Sequence, residues 1–162
     1  MPTQLELKSM QQECDLNGWN GTLAAKYKLG SAAVIGQKQV LIATYDFAVL
    51  GGAQATVSLK DANTGLDAKL PSGAVISTVM IDTITPFVSG GSATIAIGAV
   101  STTDLKGALA YGSYTGIVAG VPVGSAATSI KLTADKTVTA TIATANVTAG
   151  KINVLIEYIL SI

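Results

Sequence analysis

From Val40 onward, short apolar runs rich in Val, Ile and Ala, with many Thr, recur between clusters of Gly, Ser, Asn and Asp. Such runs fit strands, because β-branched side chains suit a pleated surface and the small polar residues suit turns. The pattern predicts strands near Val40–Val49, Ala55–Leu59, Val75–Thr85, Ala93–Val100, Ile117–Val121, Ser129–Thr133, Thr137–Ala143 and Ile152–Ile159. Alternation is cleanest in the last two. Val138, Ala140 and Ile142 fall on one face and Thr137, Thr139 and Thr141 on the other. Ile152, Val154, Ile156 and Tyr158 oppose Asn153, Leu155, Glu157 and Ile159, a second face that is itself half apolar. This closing strand is therefore expected to be covered on both sides. Turn residues sit in the gaps at Asn63-Thr64-Gly65, Pro71-Ser72-Gly73, Ser89-Gly90-Gly91, Ala134-Asp135-Lys136 and Thr148-Ala149-Gly150. Thr103-Asp104-Leu105 is read as the cap of one helical turn running to Ala110. About eight short strands with such turns indicate an all-β fold, an antiparallel β-sandwich or jelly roll spanning 40–162.

Residues 1–39 differ. Leu7, Met10 and Cys14 make a short stripe at helical spacing, and Asn17-Gly18 and Asn20-Gly21 punctuate the chain around Trp19, the single tryptophan. The segment reads as an extended N-terminal arm with a possible short helix, too poor in apolar residues to fold alone. Its large apolar side chains, Leu5, Leu7, Met10, Trp19, Leu23 and Tyr27, need cover, since each gains roughly 1.5–3 kcal/mol when fully buried. They are expected to form an interface with a neighbouring subunit or a larger assembly; the alternative is that they pad the open end of their own sandwich.

Composition narrows the chemistry. Ten Lys balance ten acids, and the chain has no Arg and no His, so it lacks the basic footprint of a nucleic-acid binder. One Cys and no His remove the usual zinc sites and the Ser-His and Cys-His nucleophile arrangements. Cys14 alone cannot make an intrachain disulfide. No secretory leader is expected, because Met1–Asp15 mixes acids with its apolar residues. The charge-free stretches Thr83–Thr103 and Gly107–Ile130 are long enough to raise a membrane question, but Pro86, Gly90-Gly91, Gly120, Pro122 and Gly124 interrupt them. Eight aromatics are too few for the girdles of a membrane barrel. No membrane partner is expected.

Few residues carry candidate chemistry. Asp61, Asn63 and Asp67 put oxygen ligands at alternate positions, as calcium loops do; yet Gly65 stands one place early and Ser72 occupies the position where a closing Glu belongs. The competing reading is a hairpin turn. Asp46, Asp82, Asp104, Asp135 and Glu157 are scattered singly, and read as strand-face or capping acids rather than a glycosidase pair. Asn20-Gly21-Thr22 and Asn146-Val147-Thr148 match the glycosylation acceptor, which has no meaning without a secretory route. Gly51-Gly52 and Gly90-Gly91 lack the Lys-Ser/Thr of a phosphate loop and read as turn or bulge glycines. Tyr111 and Tyr114 are placed on a loop, either touching a partner or packing on their own sheet. No cofactor, no resident metal and no enzymatic activity are expected.

The block from Leu70 to Ile159 resembles the small capsid decoration, or cement, proteins of tailed bacteriophages. The resemblance rests on Thr44–Val49 (TYDFAV), the Pro71–Ala74 turn, the Gly90–Ala93 hairpin, and the Val147–Lys151 lead into Glu157-Tyr158. Val147 stands where Leu is expected, and residues 1–39 do not match. The resemblance implies a jelly-roll virion protein on the outer surface of an icosahedral head, made in the host cytoplasm. It implies the major capsid protein as partner and a homotrimer as the working form. A chain this apolar and this poor in charge also suits large fixed protein contacts. The second reading is a host-surface or glycan-binding β-sandwich module of a phage particle.

Overall fold

The structure is a computed structural model that describes residues 36–161. Cys14, the Asn20 acceptor, the short arm helix and the arm residues Leu5, Leu7, Met10, Trp19, Leu23 and Tyr27 lie outside the described residues. The sandwich unit spans Ile35–Ile162.

Among the described residues twelve strands follow one another: β1 (Lys38–Asp46), β2 (Thr56–Ser58), β3 (Lys60–Asp61), β4 (Lys69–Leu70), β5 (Ala74–Ser89), β6 (Thr94–Gly98), β7 (Lys106–Ala110), β8 (Ile117–Val123), β9 (Ile130–Lys131), β10 (Lys136–Thr137), β11 (Thr139–Ala143) and β12 (Val147–Leu160). All the pairings are antiparallel. The large sheet runs β3-β1-β12-β5-β8, with β9 continuing the β8 side of β5. A four-stranded sheet runs β2-β11-β6-β7, and β10 pairs β4 in a small ribbon. The fold is the expected antiparallel sandwich. The larger strand count comes from the two-residue pieces β3 and β4, which carry no periodicity, from a split at Val138, and from β7, which the pattern did not mark as a strand. There the chain leaves the ribbon and enters the four-stranded sheet: Val138 N–H donates to the Ala68 carbonyl, and its own carbonyl accepts from Leu59.

Two local expectations are corrected. The first strand stops at Asp46, not Val49. The Asp46 carboxylate accepts the Ala48 N–H at 3.0 Å and starts a single helical turn, α1 (Phe47–Leu50). Gly51 closes that turn at φ 70°, a conformation that favours glycine. The second correction is the helical turn expected from Thr103 to Ala110. Asp104 is a cap, but it points backward, accepting the N–H groups of Ala99 and Val100 at 2.9 and 3.0 Å. That closes a tight turn after β6 and returns the chain as β7, paired to β6. Gly98 makes the turn possible, because a Cβ there would collide with the Ser101 carbonyl.

The core lies between the large and the four-stranded sheets. β12 contributes Ile152, Val154, Ile156 and Tyr158, β11 contributes Ala140 and Ile142, and β6 contributes Ile95 and Ile97, all buried. Alternation on both closing strands is thus as expected. Leu105 straps the sheets together: its N–H donates to Ile97 and its carbonyl accepts from Val121 of β8. Phe87 joins Tyr45 and Tyr114, with ring centroids 5.5 and 5.4 Å away. Tyr114 is fully buried and donates to the Ile95 carbonyl at 2.9 Å, so it packs on its own sheet. Among the described residues, no helix is long and apolar enough to cross a membrane.

Candidate functional site

The singled-out side chains are mostly engaged inside the fold. Asp61 accepts the Asn63 N–H at 2.8 Å, an Asx turn, and Asp67 pairs with Lys60 at 2.7 Å. Gly65 takes φ 71° and donates to the Asp61 carbonyl, so Asp61–Asp67 closes as a hairpin turn. The Lys60 ammonium holds the Asp67 carboxyl below its usual range. Asp135 accepts the Ser72 N–H at 2.8 Å and ties the β10 lead to the β4 exit. Asn146 accepts the Gln54 N–H at 3.0 Å. Gly52 lies against the Val147 backbone, and a Cβ on Gly91 would press on Ala145. Among the described residues, no three His, Cys, Asp or Glu side chains gather where they could hold a metal ion.

Three carboxylates remain on one surface, the solvent face of the large sheet: Asp82, in the row of Asn153 and Ile117, and the ion-paired Asp46 and Glu157. Asp46 pairs with Lys151 at 2.9 Å, and Glu157 pairs with Lys38 at 2.6 Å. Each lysine holds its partner carboxyl below the usual range, helped at Asp46 by the Ala48 N–H. At the Asp46 end lies a depression of ≈ 420 Å³, lined by Thr44, Asp46, Leu50, Lys60, Asp61 and Lys151 among others. Its charges nearly cancel. It suits a long polar side chain from a partner better than a free anion or metal.

Strand register reveals what lies between the two ion pairs. Ile42 pairs Leu155, Leu155 pairs Met80, and Met80 pairs Ala119. Since Leu41, Ala43, Val154, Ile156, Val79 and Ile81 are buried, these four partners point the other way. They form one apolar row across four strands. On β8 the exposed residues Ile117, Val121 and Val123 extend it into a column, with Ile117 66% and Val123 59% exposed. The expectation that β12 is covered on both faces is met only in part. Asn153, Leu155 and Glu157 are half-buried by their neighbours, and Ile159 is exposed. Sequence reasoning missed this row. Its signal was present in the adjacent apolar pairs Leu41-Ile42 and Ile81-Met80, and in the charge-free stretch that contains β8.

Comparison with known proteins locates the fold. No protein-family model matches the sequence, and no curated protein matches it. Solved structures do match. A chain in the capsid of Ralstonia phage GP4 superposes with a TM-score of 0.59 at 16% identity, over 80% of this chain and 88% of that one. A chain of the Cyanophage Pam1 capsid asymmetric unit gives 0.56 at 16% identity, over 77% and 86%. A chain of the acidic stable capsid of Helicobacter pylori bacteriophage KHP30 gives 0.54 at 15% identity, over 77% and 89%. The class is therefore an antiparallel β-sandwich shared with chains of three phage capsids. At these identities the likeness shows the fold.

Proposed function

We propose that this chain is a structural, non-enzymatic virion protein that decorates the outer surface of an icosahedral phage head and stabilises it by bridging capsomers. One observation carries the reading: the same sandwich, nearly whole on both sides of the comparison, occurs in the capsids of three different phages. The side-chain chemistry agrees with it. The carboxylates Asp46, Asp61, Asp67, Asp104, Asp135 and Glu157 serve turns, caps and surface pairs. The partners are the major capsid protein and two further copies of this chain in a homotrimer. Residues 1–39 act as a tether, with Leu5, Leu7, Met10, Trp19, Leu23 and Tyr27 as its contact side chains, ordering at an entropy cost met on binding.

The test is addition of purified protein to undecorated heads of the phage that encodes it. Binding at saturable stoichiometry, with heads that then withstand heating better, is the expected result; heads that neither bind it nor gain stability overturn the proposal. Deletion of residues 1–30 separates the tether from the fold. The truncated chain is expected to melt as before and to bind heads at least tenfold more weakly. Unchanged binding removes the tether from the reading.

A further inference from the structure

We propose that the solvent face of the large sheet is a contact between two copies of this chain, related by a two-fold axis along the Ile42–Leu155–Met80–Ala119 row. A two-fold contact sets one patch against itself, so the patch must be self-complementary. Rotation about this row lays each strand over its own copy, reversed in direction. Lys38 and Asp46 lie equally far from Ile42 on β1, on the same face, so Lys38 of one copy meets Asp46 of the other. Each is also paired within its own copy. At one end the cation stands on β1 and the anion on β12, as Lys38–Glu157; at the other the order is reversed, as Asp46–Lys151. Opposed ends therefore meet with opposite signs on β1, whereas on β12 Glu157 meets Asn153 and Lys151 meets Ile159 of the copy. On β8, Ile117 approaches Val123, apolar against apolar. The depression beside Asp46 gives the incoming Lys38 side chain a place to enter.

The other way of setting this face on itself fails the same test. A two-fold axis parallel to the strands would lay β1 over the β8–β9 edge. Lys38, Ile159, Val75 and Lys131 share one row, so that axis would put Lys38 against Lys131. Charge pattern thus selects one axis.

Area sets the strength. Four strands across and the nine residues of β1 along give a face of about 19 by 27 Å, hence about 1,000 Å² buried in total. That is the lower bound for a specific interface, so the pair is weak in solution and persists where copies are concentrated. Any three-fold association uses other surfaces, because one partner consumes a two-fold patch. The contact does not depend on where the protein sits on a head.

Residues on the axis meet their own counterparts, which gives a direct test. In full-length protein carrying Cys14→Ser, Ala119→Cys is expected to form a disulfide-linked dimer on mild oxidation near the Kd. Val100→Cys, exposed on the other sheet's turn, is expected to stay uncrosslinked. Lys38→Glu is expected to weaken the pair at least tenfold, and adding Asp46→Lys to restore it, with unchanged far-UV spectra and melting confirming the fold. Failure of both Ala119→Cys and Met80→Cys to self-crosslink while their thiols label freely overturns the proposal. Slow labelling of Ala119→Cys in the dilute chain overturns it too, since the face is then covered within one molecule. Crosslinking of Ala119→Cys to the capsid protein on heads, with no self-crosslink, assigns the face to that partner instead.

Discussion

The two faces of the large sheet carry similar residue types to opposite ends. On the core face Ile152, Val154, Ile156 and Tyr158 are sealed by the second sheet. On the solvent face Leu155, Met80 and Ala119 sit on the same strands, between two ion pairs, with β8 extending the apolar surface. Burial of the first set holds the molecule together. The second set adds less to the isolated fold, because Met80 and Ala119 are exposed and Leu155 is only half-buried. An apolar row that folding does not require, flanked by charges of reversed order, is what a contact surface needs.

Substitution across β12 breaks this comparison most sharply. Ile156→Ala is expected to cost about 2–5 kcal/mol, the usual range for deleting a buried aliphatic side chain, read from denaturant unfolding. Leu155→Ala, one residue away, is expected to cost less than about 1 kcal/mol. Equal losses at the two positions would mean that the solvent face is part of the core.

How much of this was legible in the sequence follows from the range of the signal. The alternation of Val138, Ala140 and Ile142, and of Ile152 through Tyr158, is local and has a period of two, so it showed directly. Lys106–Ala110 did not show as a strand. It has no β-branched residue, and Asp104 before it looks like a helix cap until the structure shows it bonding backward. The apolar row left only local traces, such as the pair Leu41-Ile42; its continuity depends on the register between Ile42, Leu155, Met80 and Ala119, which are far apart in the chain. The hairpin reading of Asp61–Asp67, by contrast, needed only its Asn and Gly.

Glycines sharpen the contrast between closed and open regions. Gly98→Ala is expected to destabilise by about 1–3 kcal/mol, because the new methyl would meet the Ser101 carbonyl in a turn that Asp104 holds closed. Gly107→Ala, on the edge strand with open space around it, is expected to be neutral or slightly stabilising. Thermal melts of the two variants side by side decide this.

Alkaline pH probes the buried phenols of the core, those of the aromatic seam and Tyr158. Burial, with the Asp46 charge adding to it, pushes the Tyr45 hydroxyl from 10.0 up to about 12, and burial raises Tyr114 too. The fold holds these phenols neutral, whereas the unfolded chain lets them ionise near their ordinary value. Stability is therefore complete below pH 10 and is lost as pH rises through the folded values. The melting temperature is expected to stay level up to about pH 10 and then fall. The solvent-face carboxyls Asp46 and Glu157 have lowered values, so their smaller contribution is lost at the acid end instead, as pH falls through the folded values. A melting temperature that is level to pH 12 would mean that the tyrosines are wetter than the fold implies.

The smallest effect belongs to the exposed turn Asp61–Asp67. Its oxygen atoms are spaced like those of a cation loop, but the backbone geometry has already assigned two of the carboxylates. Asp61 bonds the Asn63 N–H, and Asp67 bonds Lys60 across the Lys60–Asp67 bridge. A calcium ion would have to displace the lysine and open the Asx turn, losing two bonds to gain its ligands. Surface ion pairs of this kind are worth little by themselves, so Asp67→Asn is expected to leave the melting temperature within about 2 °C of the parent. Millimolar calcium is expected to shift the parent no further than that. A calcium-dependent rise of several degrees that Asp67→Asn abolishes would show that the turn rearranges around an ion, and would move this edge of the sheet from scaffold to binding site.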